Sequence, residues 1–198
     1  MSILEDLTRK FDPILLKVNQ GNTYVPIEDF LDRLNSTPDV TWSSRVTSTT
    51  FFRGPDTNSG KAQYVCSKDI ELTITVDHGL GEPMLISETR TGSGSGINFD
   101  PDTAAKTALA EATKKACNQF GIGAYLLGKD NPEREIHELH HDYLVNGAVQ
   151  DLKKAVSKAA RVDGYDGPLD ASMSKFFNVQ PADLQDASKL DAILRARF

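Results

Sequence analysis

The sequence predicts an α+β fold, in which an antiparallel three-stranded sheet is packed by one long helix and flanked by N- and C-terminal helices. Three observations predict this architecture. Residues 63–76 alternate apolar and polar side chains, as a strand with one buried face does. Residues 40–52 and 83–91 are further strand candidates on either side of it. Alanine then recurs every fourth residue from 104 to 116, which is typical of a helix lying close to a sheet.

Two helices are predicted before the first strand. Residues 3–18 place apolar side chains at near-helical spacing, and Pro13 is expected to kink or split this helix. Residues 20–22 form a predicted turn. Pro26 then opens a second helix with an apolar face, which the turn-forming residues 35–39 end.

The parity of the apolar positions predicts which side of the sheet is buried. Along the second strand the even-numbered side chains are apolar, apart from Lys68. Along the first strand Trp42, Val46 and Phe52 share the even-numbered face. Residues 78–81 form a predicted hairpin turn between the second and third strands.

A glycine- and serine-rich segment, residues 92–96, separates the third strand from the long helix. Phosphate-binding loops occupy such positions, but this spacing lacks the third glycine of a dinucleotide fingerprint and the GK[ST] of a P-loop. We therefore interpret the segment as a flexible connection. The helix that follows is predicted to begin with Asp100 as N-cap and Pro101 as its first residue, and to end at Gly121 and Gly123.

The rest of the chain is predicted to be helical from residue 132 to about residue 160, and Asn146-Gly147 is the place where this stretch would break. Residues 161–170 contain two glycines and a proline and are interpreted as a linker. The predicted organisation is a core of residues 1–160 with its flanking helices, the linker, and a small helical segment of residues 171–198 that needs docking or a partner to be stable.

Composition narrows the functional classes. The chain has 198 residues and a net charge of −6, which argues against a histone-like cationic sheath for nucleic acid. The charge is uneven, because residues 104–120 carry a net charge of +2 and residues 40–76 a net charge of +1. No stretch approaches the ~20 apolar residues of a membrane helix. Cys66 and Cys117 fit buried thiols in a reducing compartment, so we expect a cytoplasmic protein without membrane contact.

One motif points to metal chemistry. Residues 137–141 read HELHH and match HExxH, in which two histidines one helical turn apart bind zinc and the glutamate activates water. A third ligand should follow, but Glu138 is the last glutamate of the chain and no histidine comes after His141. We interpret the motif as a solvated polar helix face, and keep a zinc-dependent hydrolase using His137, Glu138 and His141 as the alternative hypothesis. No catalytic triad or paired carboxylates stand out elsewhere, which favours a protein that is not an enzyme.

Residues 24–130 resemble a known protein family. The resemblance rests on Trp42, three strands, a Gly/Ser segment and the helical run of residues 104–126, which reads AAKTALAEATKKACNQFGIGAYL. The most specific part is its ending, K-[KR]-A-x-x-x-F-G-x-G-x-Y-L. This chain resembles the Rad52-type single-strand annealing proteins, in particular their short bacterial and phage, DdrA-like members.

The resemblance implies a β-β-β-α core that assembles into rings or arcs, with DNA in a positively charged groove. It implies that Lys114 and Lys115 line that groove, and that Lys106 contributes from the same helix. Two residues depart from the family. Asn118 occupies the position of a DNA-contacting arginine of the eukaryotic relatives, and Pro26 lies near the position where another such arginine is expected. The second basic DNA-contact site of the family also finds no lysine in the Gly/Ser segment. Further contacts are then expected from the cations of the three strands and their loop, which are Arg45, Arg53, Lys61, Lys68 and Arg90.

The leading hypothesis is a single-stranded DNA-binding and annealing protein of homologous recombination and double-strand break repair, acting as a homo-oligomeric ring or arc. It needs no ATP and no other cofactor, because annealing makes and breaks no covalent bond. Many subunits along one strand would multiply a modest charge per subunit. A further hypothesis is an interaction module, in which residues 171–198 recruit a single-strand-binding protein or an exonuclease.

Overall fold

A computed structural model describes residues 3–19, 22–57, 60–77, 85–128, 130–167, 169 and 171–197. Its helices are α1 (Ile3–Thr8), α2 (Ile27–Ser36), α3 (Pro101–Gln119), α4 (Pro132–Asn146), α5 (Val149–Val162), α6 (Ala171–Phe176) and α7 (Ala187–Arg195). Its strands are β1 (Lys17–Asn19), β2 (Asn22–Tyr24), β3 (Val40–Arg53), β4 (Tyr64–Asp77) and β5 (Leu85–Asn98). Short 3-10 helices occupy Pro13–Leu15, Ala124–Leu126 and Pro181–Gln185. The predicted α+β class, with its three-stranded sheet, packing helix and flanking helices, is confirmed.

The chain forms two compact units, each built from two segments. The first unit contains Met1–Arg9 and Ile27–Ala124, and the second contains Lys10–Pro26 and Tyr125–Phe198. The first unit holds the large sheet with α2 and α3. The second holds the small β1–β2 hairpin and the helices α4 to α7. No described helix is both long enough and apolar enough to cross a membrane.

The large sheet is antiparallel, in the order β3-β4-β5. A bulge between Val46 and Ser48 shifts the register of β3 against β4. Before the bulge Trp42 pairs with Ile74, whereas after it Phe51 pairs with Cys66. The predicted face of β3 is therefore wrong beyond Val46, because a bulge adds one residue and changes which parity points to a given face. Phe51, not Phe52, lies on the side of Trp42.

Strand β4 supplies the centre of this unit's core. Cys66, Ile70, Leu72 and Ile74 are buried, as the alternation of the sequence predicts. Helix α3 packs on this side of β4 and β5 through buried alanines, which are Ala104, Ala108, Ala112 and Ala116. The predicted close approach of an alanine-faced helix to the sheet is thus confirmed.

The Gly/Ser segment is part of β5, so the interpretation as a flexible connection is wrong. The strand continues to Asn98. A side chain at Gly92, Gly94 or Gly96 would point at α3. A Cβ at Gly94 would lie 2.3 Å from both the carbonyl oxygen of Ala108 and the amide nitrogen of Ala112. The glycines are needed because the helix backbone lies where their side chains would be.

Local signals at the ends of α3 are confirmed. The carboxylate of Asp100 accepts a hydrogen bond from the Thr103 amide at 2.8 Å, which caps the helix, and Pro101 follows in the first turn. Beyond the helix Gly121 has a φ of +88°, in the region that glycine tolerates best.

The predicted helix of residues 3–18 is wrong in its second half. Helix α1 ends at Thr8, and Val18 lies in strand β1. Between them the side chain of Asp12 accepts a hydrogen bond from the Ile14 amide and caps a 3-10 helix that starts at Pro13. An α-helix does not run through residue 13, because proline lacks the amide and clashes with the previous turn, whereas it fits the first position of the 3-10 helix.

Two predicted turns fall partly or wholly outside the described residues. The predicted hairpin turn of residues 78–81 lies wholly outside them. Of the predicted turn of residues 20–22, Gln20 and Gly21 lie outside them. Asn22 opens β2. The helix predicted after Pro26 is confirmed as α2, with Phe30 and Leu34 buried.

The second unit has its own apolar core. Gly147 separates α4 from α5 in the left-handed conformation (φ 68°), where its amide donates to the Tyr143 carbonyl at 2.8 Å, so the predicted break is confirmed. Buried side chains of α4 to α7 and the last 3-10 helix form one cluster, which includes Ile136, Leu152, Val156, Met173, Leu184, Leu190 and Leu194. Residues 171–197 contain α6, the 3-10 helix Pro181–Gln185 and α7, and their apolar side chains complete this cluster. The division at residues 161–170 stays a prediction.

Candidate nucleic-acid interface

The three candidate lysines of α3 differ in their surroundings. Lys106 and Lys115 are exposed. Lys114 forms an ion pair with Glu111, with 2.6 Å between Nζ and Oε1, and its side chain is only 17% exposed. Lys114 and Lys115 are adjacent in sequence but are therefore not equivalent, and Lys115 offers the more accessible charge.

Helix geometry separates these lysines further. Lys106 and Lys115 are nine residues apart, which is about two and a half turns, so they project from opposite sides of α3. Gln119 lies one turn beyond Lys115, and its side-chain amide donates to the Thr91 carbonyl of β5 at 2.7 Å. Lys115 therefore lies on the side of α3 that borders β5, and Lys106 lies on the other.

Each candidate arginine of the sheet is held by a carboxylate. Arg45 pairs with Glu71 at 2.7 Å, Arg53 with Asp56 at 2.6 Å, and Arg90 with Glu88. These pairs are solvent-exposed, and exposed pairs are worth only about 0–1 kcal/mol. A phosphate could therefore replace the carboxylate at little cost.

The strand register distributes these cations over both faces of the sheet. Arg45 pairs opposite Glu71 on the face away from α3, whereas Lys68, opposite Gly94, and Arg90, opposite Leu72, lie on the helix side. The eight predicted DNA-contact residues thus do not form a single patch. The structure separates them into smaller groups, and even Lys106 and Lys115 lie on opposite sides of α3.

A second group lies where β3 ends and includes aromatic residues that the sequence analysis did not single out. The Phe51 and Tyr64 rings are stacked with centroids 5.9 Å apart, and Arg53, two residues after Phe51, pairs with Tyr64 in the β3–β4 register. The Lys61 ammonium lies 5.8 Å from the centroid of the Phe99 ring. Phe51 and Phe99 are 47% and 53% exposed. Exposed rings beside cations suit single-stranded nucleic acid, whose bases stack on aromatic side chains.

The residues of the HExxH match are not a solvated helix face, so that interpretation is wrong. His137 of the match and its neighbour His140 are completely buried, and the side chain of His141, the second histidine of the match, is only 12% exposed. Tyr125 Oη lies 3.3 Å from His137 Nε2, and His140 Nε2 lies 2.6 Å from Asp191 Oδ1. His137 and His140 belong to the interior of the second unit, because their side of α4 faces it.

Among the residues that the structure describes, the zinc-hydrolase hypothesis has no site. Glu138, which would activate water, forms an ion pair with Arg134 at 2.9 Å. Within the described part of the chain, no three His, Cys, Asp or Glu side chains are grouped so that they could hold a metal ion.

Both cysteines are buried and free, as expected of structural thiols. Burial raises the pKa of the Cys117 thiol to about 12, which keeps it protonated at neutral pH. A protonated, enclosed thiol is a poor nucleophile and a poor metal ligand. Cys117 is therefore a packing residue of α3.

The arrangement just described, three antiparallel strands followed by a lysine-bearing helix, is the one that the resemblance implies. The model of the Rad52/22 family double-strand break repair protein matches residues 2–142. The chain belongs to this family, and so to the proteins of DNA repair and recombination. The match includes the whole β-β-β-α core and ends within α4. No curated protein sequence matches the chain.

Proposed function

We propose that this protein binds single-stranded DNA and anneals complementary strands during double-strand break repair, as a homo-oligomeric ring or arc and without ATP. The observation that carries the proposal is the family match over residues 2–142, since these residues form the β-β-β-α core. Annealing requires a surface that neutralises phosphates and leaves base edges accessible. It requires no catalytic group.

The sheet supports the proposed assembly. Strands β3 and β5 each have 14 residues and form the two edges of the described sheet. Long edge strands present unpaired backbone groups that natural proteins cover or pair. Exposed apolar side chains also lie on both strands, among them Phe52 at 51% and Ile97 at 62% exposure. Pairing of β3 from one copy with β5 from the next would cover these groups and would repeat along a ring or an arc.

Lys115 gives the most direct test of DNA binding. At about 0.1 M salt, one lost phosphate contact should weaken binding to an oligothymidylate about 5-fold, and the slope of log K against log salt should decrease by about 0.7. We therefore expect Lys115→Gln to show both changes and to slow annealing of complementary oligonucleotides. Thermal stability should stay the same, because the side chain is exposed.

Two comparisons make this test specific. Lys175→Gln removes an exposed charge from α6 instead and should leave binding unchanged. Lys114→Gln should have a smaller effect than Lys115→Gln, because Glu111 already pairs with Lys114. A wild-type protein that neither binds nor anneals single strands contradicts the proposed function, whereas an unchanged Lys115→Gln variant contradicts only the assignment of this lysine.

A further inference from the structure

Helix α5 carries an unusual concentration of positive charge for this protein. Its 14 residues include Lys153, Lys154, Lys158 and Arg161 and one carboxylate, Asp151, within a chain of net charge −6. Leu152, Val156 and three alanines bury the opposite side of the helix in the second unit's core. The charge is therefore confined to the solvent side of α5.

Three of these cations form a line. Lys154, Lys158 and Arg161 follow one another at spacings of four and three residues, so they project from the same side of the helix. From the first to the third the helix rises about 10 Å.

The line of cations forms one side of a cleft. An open cleft of about 500 Å³ is lined by Lys154, Ser157, Lys158 and Arg161 from α5 and by Glu135 and Leu139 from α4. Its lining has a net charge of +2. Lys154 remains 66% exposed although it pairs with Asp151 at 2.8 Å, and Arg161 is exposed. Lys158 pairs with Glu135 across the cleft.

We propose that this α4–α5 cleft binds the phosphate backbone of single-stranded DNA, which makes it a contact site additional to the β-β-β-α core. The inference rests on the proposed function and extends it to α5, which lies beyond the residues that the family model matches. The lining favours a polyanion over a peptide, because peptide sites have an apolar or aromatic centre and this cleft has one leucine among charged and hydroxyl groups.

The double variant Lys154→Gln/Arg161→Gln tests this site in the full-length protein and leaves the Lys158–Glu135 pair intact. Two lost phosphate contacts should weaken binding to a long oligothymidylate about 25-fold at about 0.1 M salt, and the salt slope should decrease by about 1.4. Lys189→Gln, an exposed charge on α7, is the control and should change neither value.

Glu135→Gln should have the opposite effect. It removes the carboxylate that competes with phosphate for Lys158, so we expect about 5-fold tighter binding and a salt slope steeper by about 0.7. Unchanged affinity and slope in the double variant would overturn the inference, as would weaker binding in Glu135→Gln.

The outcomes also separate this inference from the proposed function. Normal binding by the double variant, with weakened binding by Lys115→Gln, removes the cleft and keeps the core site. Weakened binding by the double variant alone keeps the cleft and removes Lys115. A wild-type protein without affinity for single-stranded DNA overturns both.

Discussion

At the scale of single residues, the interior of the second unit contains titratable groups whose charge depends on their partners. The Glu133 carboxylate accepts hydrogen bonds from Lys10 at 2.6 Å and from Arg197 at 2.5 Å. Burial alone would raise the pKa of Glu133, but these two cations lower it. Its stabilising effect is therefore present above about pH 4 and is lost only below that value, as the carboxylate becomes protonated.

His137 should make the protein sensitive to milder acid. In the unfolded chain a histidine binds a proton below about pH 6.5, whereas burial lowers the pKa of folded His137 to about 3. Protons therefore bind preferentially to the unfolded chain in this window. As the pH falls through this window, the free energy of unfolding should decrease, by up to about 1.4 kcal/mol per pH unit for one histidine. Burial also lowers the pKa of His140, despite its hydrogen bond to Asp191, so that residue adds to the same trend.

Urea unfolding between pH 7 and pH 5 measures this effect, because carboxylates stay ionised in that range. His137→Gln should reduce the pH dependence by the contribution of one proton, whatever its effect on stability at pH 8. A variant with the wild-type pH dependence would show that His137 is not the group responsible.

At the scale of secondary structure elements, α3 and β5 pack as closely as backbones allow. Glycines at alternate positions of β5 face alanines at every fourth position of α3, so the two periodicities match. The helix that carries the candidate DNA-contact lysines is thereby fixed on the sheet. Its position depends on the glycines, since any side chain there would displace the helix.

Gly94→Ala should therefore be strongly destabilising. The added Cβ would approach the backbone of Ala108 and Ala112 to 2.3 Å, and neither atom can move without the helix. We expect the free energy of unfolding to decrease by about 3 kcal/mol, at the upper end for overpacked cores. Ser93→Ala is the matched control, because Ser93 is exposed on the opposite face of the same strand. It should change stability by less than about 0.5 kcal/mol. Similar unfolding curves for both variants would contradict close packing at Gly94.

Elements whose periodicity is visible in one segment could be predicted from the sequence. Strand β4 and helix α3 are of this kind, because their apolar positions recur every two and every four residues. Residues 92–96 were misinterpreted because glycine is rare in strands. The glycines are nonetheless two residues apart, as residues on one face of a strand are. The reason for this spacing is visible only in the structure, where the glycines face the alanines of α3. The bulge after Val46 had no such signal, since one inserted residue leaves composition unchanged.

The candidate site was predictable in residue type but not in arrangement. The resemblance pointed to the lysines of α3, and their spacing alone places Lys106 and Lys115 on opposite sides of a helix. The partners of the other cations depend on strand register and helix packing, which a single sequence does not specify. Glu71 meets Arg45 across two strands, and Glu135 meets Lys158 across two helices.

At the scale of the whole molecule, the segment that the family model matches does not end at the boundary between the two compact units. The matched residues 2–142 contain the described first unit and end within α4. Helices α5 to α7 lie beyond the match and complete the core of the second unit. The edges that the ring proposal needs belong to the first unit, whereas the proposed cleft belongs to the second, so assembly and the second DNA contact can be altered independently.

Charge on the sheet edges should prevent assembly without unfolding the subunit. Phe52 on β3 and Ile97 on β5 are exposed, so a lysine at either position is solvated in a single copy. In a ring that pairs β3 with β5 of the next copy, the same lysine would lie beside the side chains of the neighbouring strand. Lysine on an edge strand is a device by which natural proteins block such pairing.

We therefore expect Phe52→Lys and Ile97→Lys each to shift the mass measured by light scattering from oligomer to monomer, with little change in thermal stability. Ser67→Lys is the matched control, because Ser67 is exposed on the central strand β4, where no edge pairing occurs. It should keep the wild-type mass. Annealing should fall with the loss of assembly, since a single subunit brings few phosphate contacts to a strand. Oligomers that survive both edge substitutions would exclude strand pairing as the basis of assembly, and a wild-type monomer with and without oligonucleotide would exclude the ring itself.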